Sequence, residues 1–258
     1  AHRDAAAISR GIRVGGQERV RQIRTAEAGL AQGESPHFLD VRADLSVVRL
    51  QAMQAGSPID PVAWHCLNAA LCESIYPALQ CAELALRNRV DLLLRGGFGP
   101  QWWYPGAIPL ADNQRHRIAK AMRERMVSRQ APTPDAVVSA LPLGFWTAFF
   151  NPFHAQTGLG ALIAKDVFAH APRTQRSLPA LNRRWSAVRD LRNRVFHHER
   201  IIHRGDLQTT HADIVSLLSW MSPNLPMMLS WMDRFPEVLR SRIGPRGRLA
   251  TTTRPAPR

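Results

Sequence analysis

Residues 178–200 read LPALNRRWSAVRDLRNRVFHHER, and their spacing predicts one long amphipathic helix. At about 100° per residue its apolar side chains fall on a single stripe, formed by Leu181, Trp185, Val188, Val195 and Phe196. Arg192 projects from the middle of this stripe. Because a buried guanidinium is costly unless it is paired, we expect Arg192 either to meet a carboxylate or to face a wet cleft.

A second amphipathic helix, at residues 78–95, carries the complementary charge. Its apolar stripe consists of Leu79, Leu86, Val90 and Leu93. Glu83 falls among these residues, with Arg87 at the edge. We predict that the two helices pack together and that Glu83 pairs with Arg192. Asn193 and His197, which are four residues apart, are then expected at the edge of the interface between the two helices. A buried ion pair that only fixes helix register is the alternative.

The rest of the chain also contains residues typical of helix starts and almost no patterns typical of β-strands. Possible N-cap residues stand at Ser35, Asp60, Asp112, Thr133 and Ser177. We predict an all-α fold with a bundle core. The predicted helices span 36–54, 61–95 (bent or broken at Pro77), 112–129, 134–150 in pieces, 159–170, 178–200, 211–222 and 226–241. Residues 1–34 are predicted to form a basic N-terminal arm, 35–241 the helical domain and 242–258 a disordered basic tail.

Composition limits the possible function classes. The 258 residues are 45% hydrophobic, which suits a globular core and excludes a disordered or fibrous chain. Lys and Arg number 34 against 20 Asp and Glu, giving a net charge of +14, and only Lys120 and Lys165 are lysines. Arginine matches phosphate bidentately, which favours an anionic polymer as partner, although a GC-rich genome explains the excess equally well.

Other features bear on location and cofactors. Three cysteines fit neither a complete set of disulfides nor a zinc pattern, so we expect a cytoplasmic protein. The uncharged stretch 214–232 contains Pro223 and Pro226, and we predict that it does not span a membrane. The histidine spacing, with His197, His198, His203 and His211, fits no usual helical ligand pair, so no metal is predicted.

Two further segments each allow two interpretations, one structural and one in RNA binding. Trp102-Trp103-Tyr104 is more often a core cluster than a platform for stacking RNA bases. The predicted helix 112–129 has a basic face that includes Arg115 and Arg123 and is either simply solvated or tracks an RNA backbone. Arg194 is a further candidate RNA contact.

The predicted helix 178–200 contains the segment Arg192-Asn193-Arg194-Val195-Phe196-His197. In this segment an arginine is followed by a polar residue, then by three further residues, and then by a histidine. This pattern resembles the R-[NDH]-x3-H motif of the HEPN superfamily, and the wider segment 191–201 resembles the signature of Abi-like (abortive infection) proteins of bacteria. Three further segments resemble those of the same family and occur in the same order, at residues 83–91, 98–103 and 143–146. The resemblance covers roughly residues 60–235.

The resemblance implies a HEPN-like helical bundle with additional helices and a metal-independent endoribonuclease without a cofactor. His197 would act as acid or base on the 2′-OH or the leaving 5′-oxygen, Arg192 would bind the scissile phosphate, and Asn193 would orient His197 or hold the phosphate. Glu83, Arg87 and His198 would support the site. Since one motif supplies one acid/base, a homodimer with a composite site is implied.

The implied biology is anti-phage abortive infection or a toxin, with RNA as substrate and an antitoxin or a noncoding RNA as a further partner. Two other classes remain open from the residues. One is a non-catalytic protein that holds a structured noncoding RNA, which predicts salt-sensitive binding without cleavage. The other is a structural interaction protein in which Glu83 and Arg192 only lock two helices together.

Overall fold

The protein is described by a computed structural model, which covers residues 61–129 and 131–242 together with 44–46, 48, 50 and 51. Every regular element in this part of the chain is a helix, so the predicted all-α class is confirmed. The predicted arm at 1–34, most of the predicted helix 36–54 and the predicted tail from 243 onward lie outside the described residues.

Ten α-helices succeed one another along these residues. They are α1 (Pro61–Phe98), α2 (Asp112–Val127), α3 (Pro134–Ala140), α4 (Leu143–Thr147), α5 (Pro152–Gln156), α6 (Leu159–Val167), α7 (Leu178–Phe196), α8 (Leu207–Met221), α9 (Asn224–Ser230) and α10 (Phe235–Arg242). Short 3-10 helices lie at Ala148–Phe150 and Arg173–Gln175.

The chain divides into two compact units. The first unit contains the described residues up to Pro77, Arg194–Gly205, and those from Ser230 onward. The second unit contains Ala78–Asn193 and Asp206–Leu229. Helices α1 and α7 each contribute residues to both units.

Helix α1 runs without interruption through Pro77, so of the two predicted outcomes there, a bend or a break, the break is wrong. Proline lacks the N–H that would bond the carbonyl of Glu73, and the helix continues with that one bond missing. Beyond Pro77 the buried side chains follow a helical spacing and are Ala78, Leu79, Cys81, Ala82, Leu86, Val90 and Leu94. Leu94 replaces the predicted Leu93 on this face, because the sequence pattern alone does not fix the helix orientation to within one residue.

The core of the second unit is aromatic. Trp102 contacts Trp103, Phe145 and Trp146, with ring centroids 5.4 to 6.2 Å apart. The indole N–H of Trp102 donates to Asp91 Oδ1 at 2.9 Å. Trp102 and Trp103 are buried, which confirms their interpretation as core residues, while Tyr104 is exposed.

Several predicted helix boundaries are wrong. The single helix expected at 226–241 is two helices, because α9 ends at Ser230 and α10 begins at Phe235, where Asp233 Oδ1 accepts the Phe235 N–H at 3.1 Å. Helix α8 begins at Leu207 rather than 211, with its first turn closed by a Thr210 N–H to Asp206 carbonyl bond of 2.8 Å. Helices α2 and α6 end at Val127 and Val167, short of the predicted 129 and 170.

Some caps agree with the sequence and one does not. Thr133 caps α3 by accepting the Ala136 N–H at 3.3 Å, as predicted. Asp112 lies inside the first turn of α2, where the N-cap is Ala111 and Gln114 Oε1 accepts the Ala111 N–H at 3.2 Å. Among the described residues no helix is both long and apolar enough to cross a membrane.

Candidate functional site

Arg192 and Glu83, which the sequence predicted to pair, form an ion pair within the second unit. Arg192 Nε lies 3.1 Å from Glu83 Oε2, and the two side chains are 25% and 20% exposed. On α7, Leu181, Trp185, Val188 and Leu191 are buried. A charge-assisted hydrogen bond holds the guanidinium, and part of it remains open to solvent.

The end of α7 lies four residues earlier than predicted. The helix ends at Phe196, where the His198 N–H bonds the Val195 carbonyl at 3.3 Å and the Glu199 N–H bonds the Arg194 carbonyl at 2.8 Å. These two bonds, with His198 in the left-handed region at φ +57°, form a Schellman cap. Glycine is the usual residue at such a position, so the residue types here do not indicate that the helix stops.

The cap determines where His197 lies. His197 occupies the C-cap position, and its side chain is exposed. Asn193, in the last turn of α7, is exposed as well. The predicted extension of this helix to residue 200 is wrong, because the chain leaves the helix at His197. Phe196, the last residue of α7, was predicted to join the apolar stripe but is 40% exposed.

The segment after the cap is anchored by Asn68 of α1, which was not among the residues predicted from the sequence. The buried Asn68 side chain accepts the N–H groups of Ile201 at 2.7 Å and Ile202 at 3.1 Å through Oδ1. Its Nδ2 donates to the Glu199 carbonyl at 3.1 Å. A polar residue among buried apolar neighbours on α1 was the available signal, since Trp64, Leu67 and Leu71 are buried beside it.

Positive charge is concentrated in this segment. Arg194 NH1 pairs with Glu199 Oε2 at 3.1 Å across the cap. The pKa of His203 is lowered, first by partial burial and then by the nearby charges of Arg200, Arg194 and Arg204. Three guanidinium groups thus raise the local potential around residues 194–204, which favours an anionic partner.

The other predicted site residues lie on different elements. Within the described part of the chain Arg87 makes two long hydrogen bonds, 3.4 Å to Asn88 Oδ1 and 3.5 Å to the Ser139 carbonyl, and neither involves Arg192 or Glu83. Arg115 pairs with Asp112 and bonds the Leu110 carbonyl. Arg123 is exposed on α2.

One buried histidine was not predicted. His154 is fully buried; its Nε2 lies 2.7 Å from Gln114 Oε1, and its Nδ1 has no hydrogen-bond partner in the described part of the chain. Gln114 in turn donates to the Phe145 carbonyl at 3.3 Å. Burial lowers the pKa of His154 to about 4, so the ring is neutral at physiological pH. It is a structural residue of the second unit.

No group of three or more His, Cys, Asp or Glu side chains suited to a metal ion occurs within the described residues. No protein-family model matches this chain, and neither does any curated protein or solved structure. The resemblance to Abi-like and HEPN proteins therefore stays a prediction from the sequence.

Proposed function

We propose that this protein is a metal-independent endoribonuclease of the HEPN type. The observation that carries the proposal is the setting of Arg192, a conformationally fixed and partly exposed guanidinium five residues before an exposed histidine. In a chain of net charge +14, this is the chemistry that RNA cleavage without a metal requires.

The reaction proposed is transesterification within the RNA strand. The 2′-OH attacks the adjacent phosphorus, the bond to the 5′-oxygen breaks, and the products carry a 2′,3′-cyclic phosphate and a 5′-OH. His197 takes the proton of the 2′-OH or gives a proton to the leaving 5′-oxygen, since imidazole is the side chain suited to both tasks near neutral pH. Arg192 stabilises the charge that develops on the phosphate oxygens, and Asn193 orients the imidazole or the phosphate.

Glu83 acts in this scheme as a positioning residue. A guanidinium has five N–H donors, and the bond to Glu83 uses Nε, so the carboxylate fixes the plane of the group. A single motif supplies one acid/base, whereas the two proton transfers are best served by two. We therefore propose a homodimer whose two motifs form one composite site, as the resemblance implies.

The proposed setting is bacterial abortive infection or a toxin system, in which RNA cleavage arrests growth and an antitoxin or noncoding RNA restrains it. Arg194, Arg115 and Arg123 are proposed as RNA-backbone contacts. For Arg115 the competing ion pair with Asp112 reduces the available charge, so Arg123 is the stronger candidate on α2.

The test is incubation of the purified full chain with cellular RNA in EDTA, with analysis of the fragment ends. We expect cyclic-phosphate and 5′-OH ends, and a fall in rate of at least about a hundredfold in His197→Ala. His116→Ala is the matched control, because His116 is an exposed histidine on α2, and it should cleave like the parent protein.

Two other results would assign a different function. RNA that binds in a salt-sensitive manner but stays intact would indicate a protein that holds RNA. The ion pair between Glu83 and Arg192 is also what a purely structural role would produce. No RNA binding, together with loss of helical circular dichroism in Arg192→Ala, would indicate that role.

A further inference from the structure

Two aromatic side chains are in contact at the surface beside the proposed acid/base. Tyr76 of α1 and Phe196, the last residue of α7, have ring centroids 5.6 Å apart and planes inclined by 35°. They are 41% and 40% exposed. Both belong to the first unit, and Phe196 precedes His197 directly in the chain.

In most other aromatic contacts of the described residues both rings are buried, although Phe153, which contacts His154, is 38% exposed. The rings of Trp102, Phe145, Trp146 and Phe149 contact one another while fully buried. In the first unit, Phe235 is buried too. Aromatic rings gain more from burial than most side chains, so a pair of touching rings that remains partly exposed offers apolar ring surface to a ligand.

The charge around this pair favours one class of ligand. The segment Arg194–Gly205, which begins two residues before Phe196, holds three arginines and one acid, Glu199, which is paired with Arg194. On α1 the acid nearest to Tyr76 in sequence, Glu73, is paired with Arg234 at 3.0 Å. The pKa of His203 is lowered first by burial and then by the charges of these three arginines. A ligand with flat rings and negative charge fits this surface, and unpaired nucleotides have both.

We propose that Tyr76 and Phe196 form a stacking platform for an unpaired base of RNA and so select single-stranded over double-stranded substrate. The inference rests on the proposed function, because it places the phosphodiester next to the stacked base within reach of the neighbouring His197. In an A-form duplex each base already stacks on its neighbours, so only a splayed base can use the platform. Stacking tolerates any base, so little base preference is expected.

Binding of a short unstructured, fluorescently labelled RNA, measured by anisotropy on the full chain, tests the platform. Tyr76→Leu keeps an apolar side chain and removes the ring, and we expect about a tenfold loss of single-strand affinity with unchanged affinity for the matching duplex. Tyr76→Phe keeps the ring and should bind like the parent protein. Tyr104→Leu removes an exposed tyrosine of the second unit and serves as the matched control.

The outcomes separate the platform from the cleavage activity. Parent protein that cleaves RNA, with Tyr76→Leu binding single strands just as tightly, would overturn the platform alone. If Tyr76→Leu selectively loses single-strand binding, and neither the parent protein nor any variant cleaves RNA, the platform is supported and the proposed ribonuclease activity is wrong. If Tyr76→Leu converts a dimer into monomers and leaves RNA affinity unchanged, the pair is a protein interface and the inference is wrong.

Discussion

The pentapeptide Leu-Arg-Asn-Arg-Val occurs twice, as 86–90 in α1 and as 191–195 in α7, and the two copies differ in their surroundings. In both copies the leucine and the valine are buried and the asparagine is exposed. Among the residues that the structure describes, the first arginine of the earlier copy, Arg87, makes only long hydrogen bonds, whereas Arg192 of the later copy is paired with Glu83. The helix continues eight residues beyond the earlier copy and one residue beyond the later copy.

Five identical residues therefore acquire their chemistry from the groups that they face and from the residues that come after them. An acid opposite Arg192 fixes one guanidinium, and a Schellman cap after Val195 exposes His197. Neither feature is contained in the pentapeptide. The earlier copy thus serves as an internal control for every change in the later one.

The two copies should differ most in RNA cleavage. Arg192→Ala should lower the rate by about a hundredfold to a thousandfold, as for loss of a group that stabilises transition-state charge. Arg87→Ala should leave the rate within about twofold, because Arg87 has no ion-pair partner among the described residues to position it. Equal losses in both variants, measured on folded protein by single-turnover cleavage, would remove the distinction between the copies.

Arg192→Ala also leaves Glu83 without its partner, so the same variant must be shown to fold. Arg192→Lys provides the second measurement, since it keeps the positive charge and loses the planar fork. We expect Arg192→Lys to retain stability near that of the parent protein and still to cleave poorly. Full cleavage by Arg192→Lys would show that charge alone suffices and that Glu83 does not aim the group.

The pH dependence of folding stability is the next effect in size. It must be measured before the pH dependence of the cleavage rate is attributed to groups in or after the later copy. Burial lowers the pKa of His154 to about 4, below its usual 6.5 in an unfolded chain. The unfolded state therefore binds more protons between these values, and the free energy of unfolding should fall by about 3 kcal/mol as the pH drops from 7 to 4. Denaturant titrations at a series of pH values measure this.

His154→Gln removes the titrating ring and should flatten that dependence, whereas His116→Gln, at an exposed position, should leave it unchanged. A dependence that persists in His154→Gln would place the responsible group elsewhere. Any loss of cleavage at low pH beyond the loss of folded protein then belongs to the catalytic groups.

The ion pair and the end of α7 differ in how far the sequence could predict them. Helical periodicity placed Glu83 and Arg192 on facing stripes, and their pairing is then expected, because two unpaired buried charges would be too costly. The end of α7 was not predictable in the same way. It depends on His198 adopting a left-handed conformation that the residue type does not favour, and on Asn68, 131 residues earlier, holding the Glu199 carbonyl.

Glycine substitution should have a weaker effect, of opposite sign in the cap that follows the later copy and within the earlier copy. His198→Gly places at φ +57° the one residue that has no steric penalty there, and it should stabilise the protein by about 1 kcal/mol. Arg89→Gly, at an exposed position in the uninterrupted helix α1, should destabilise it by about 1 kcal/mol. Thermal and denaturant unfolding measure both. If glycine destabilises at both positions, the cap is not what ends α7 in solution, and the exposure of His197 loses its structural cause. If His198→Gly stabilises the fold and also slows cleavage, the imidazole of His198 takes part in the reaction.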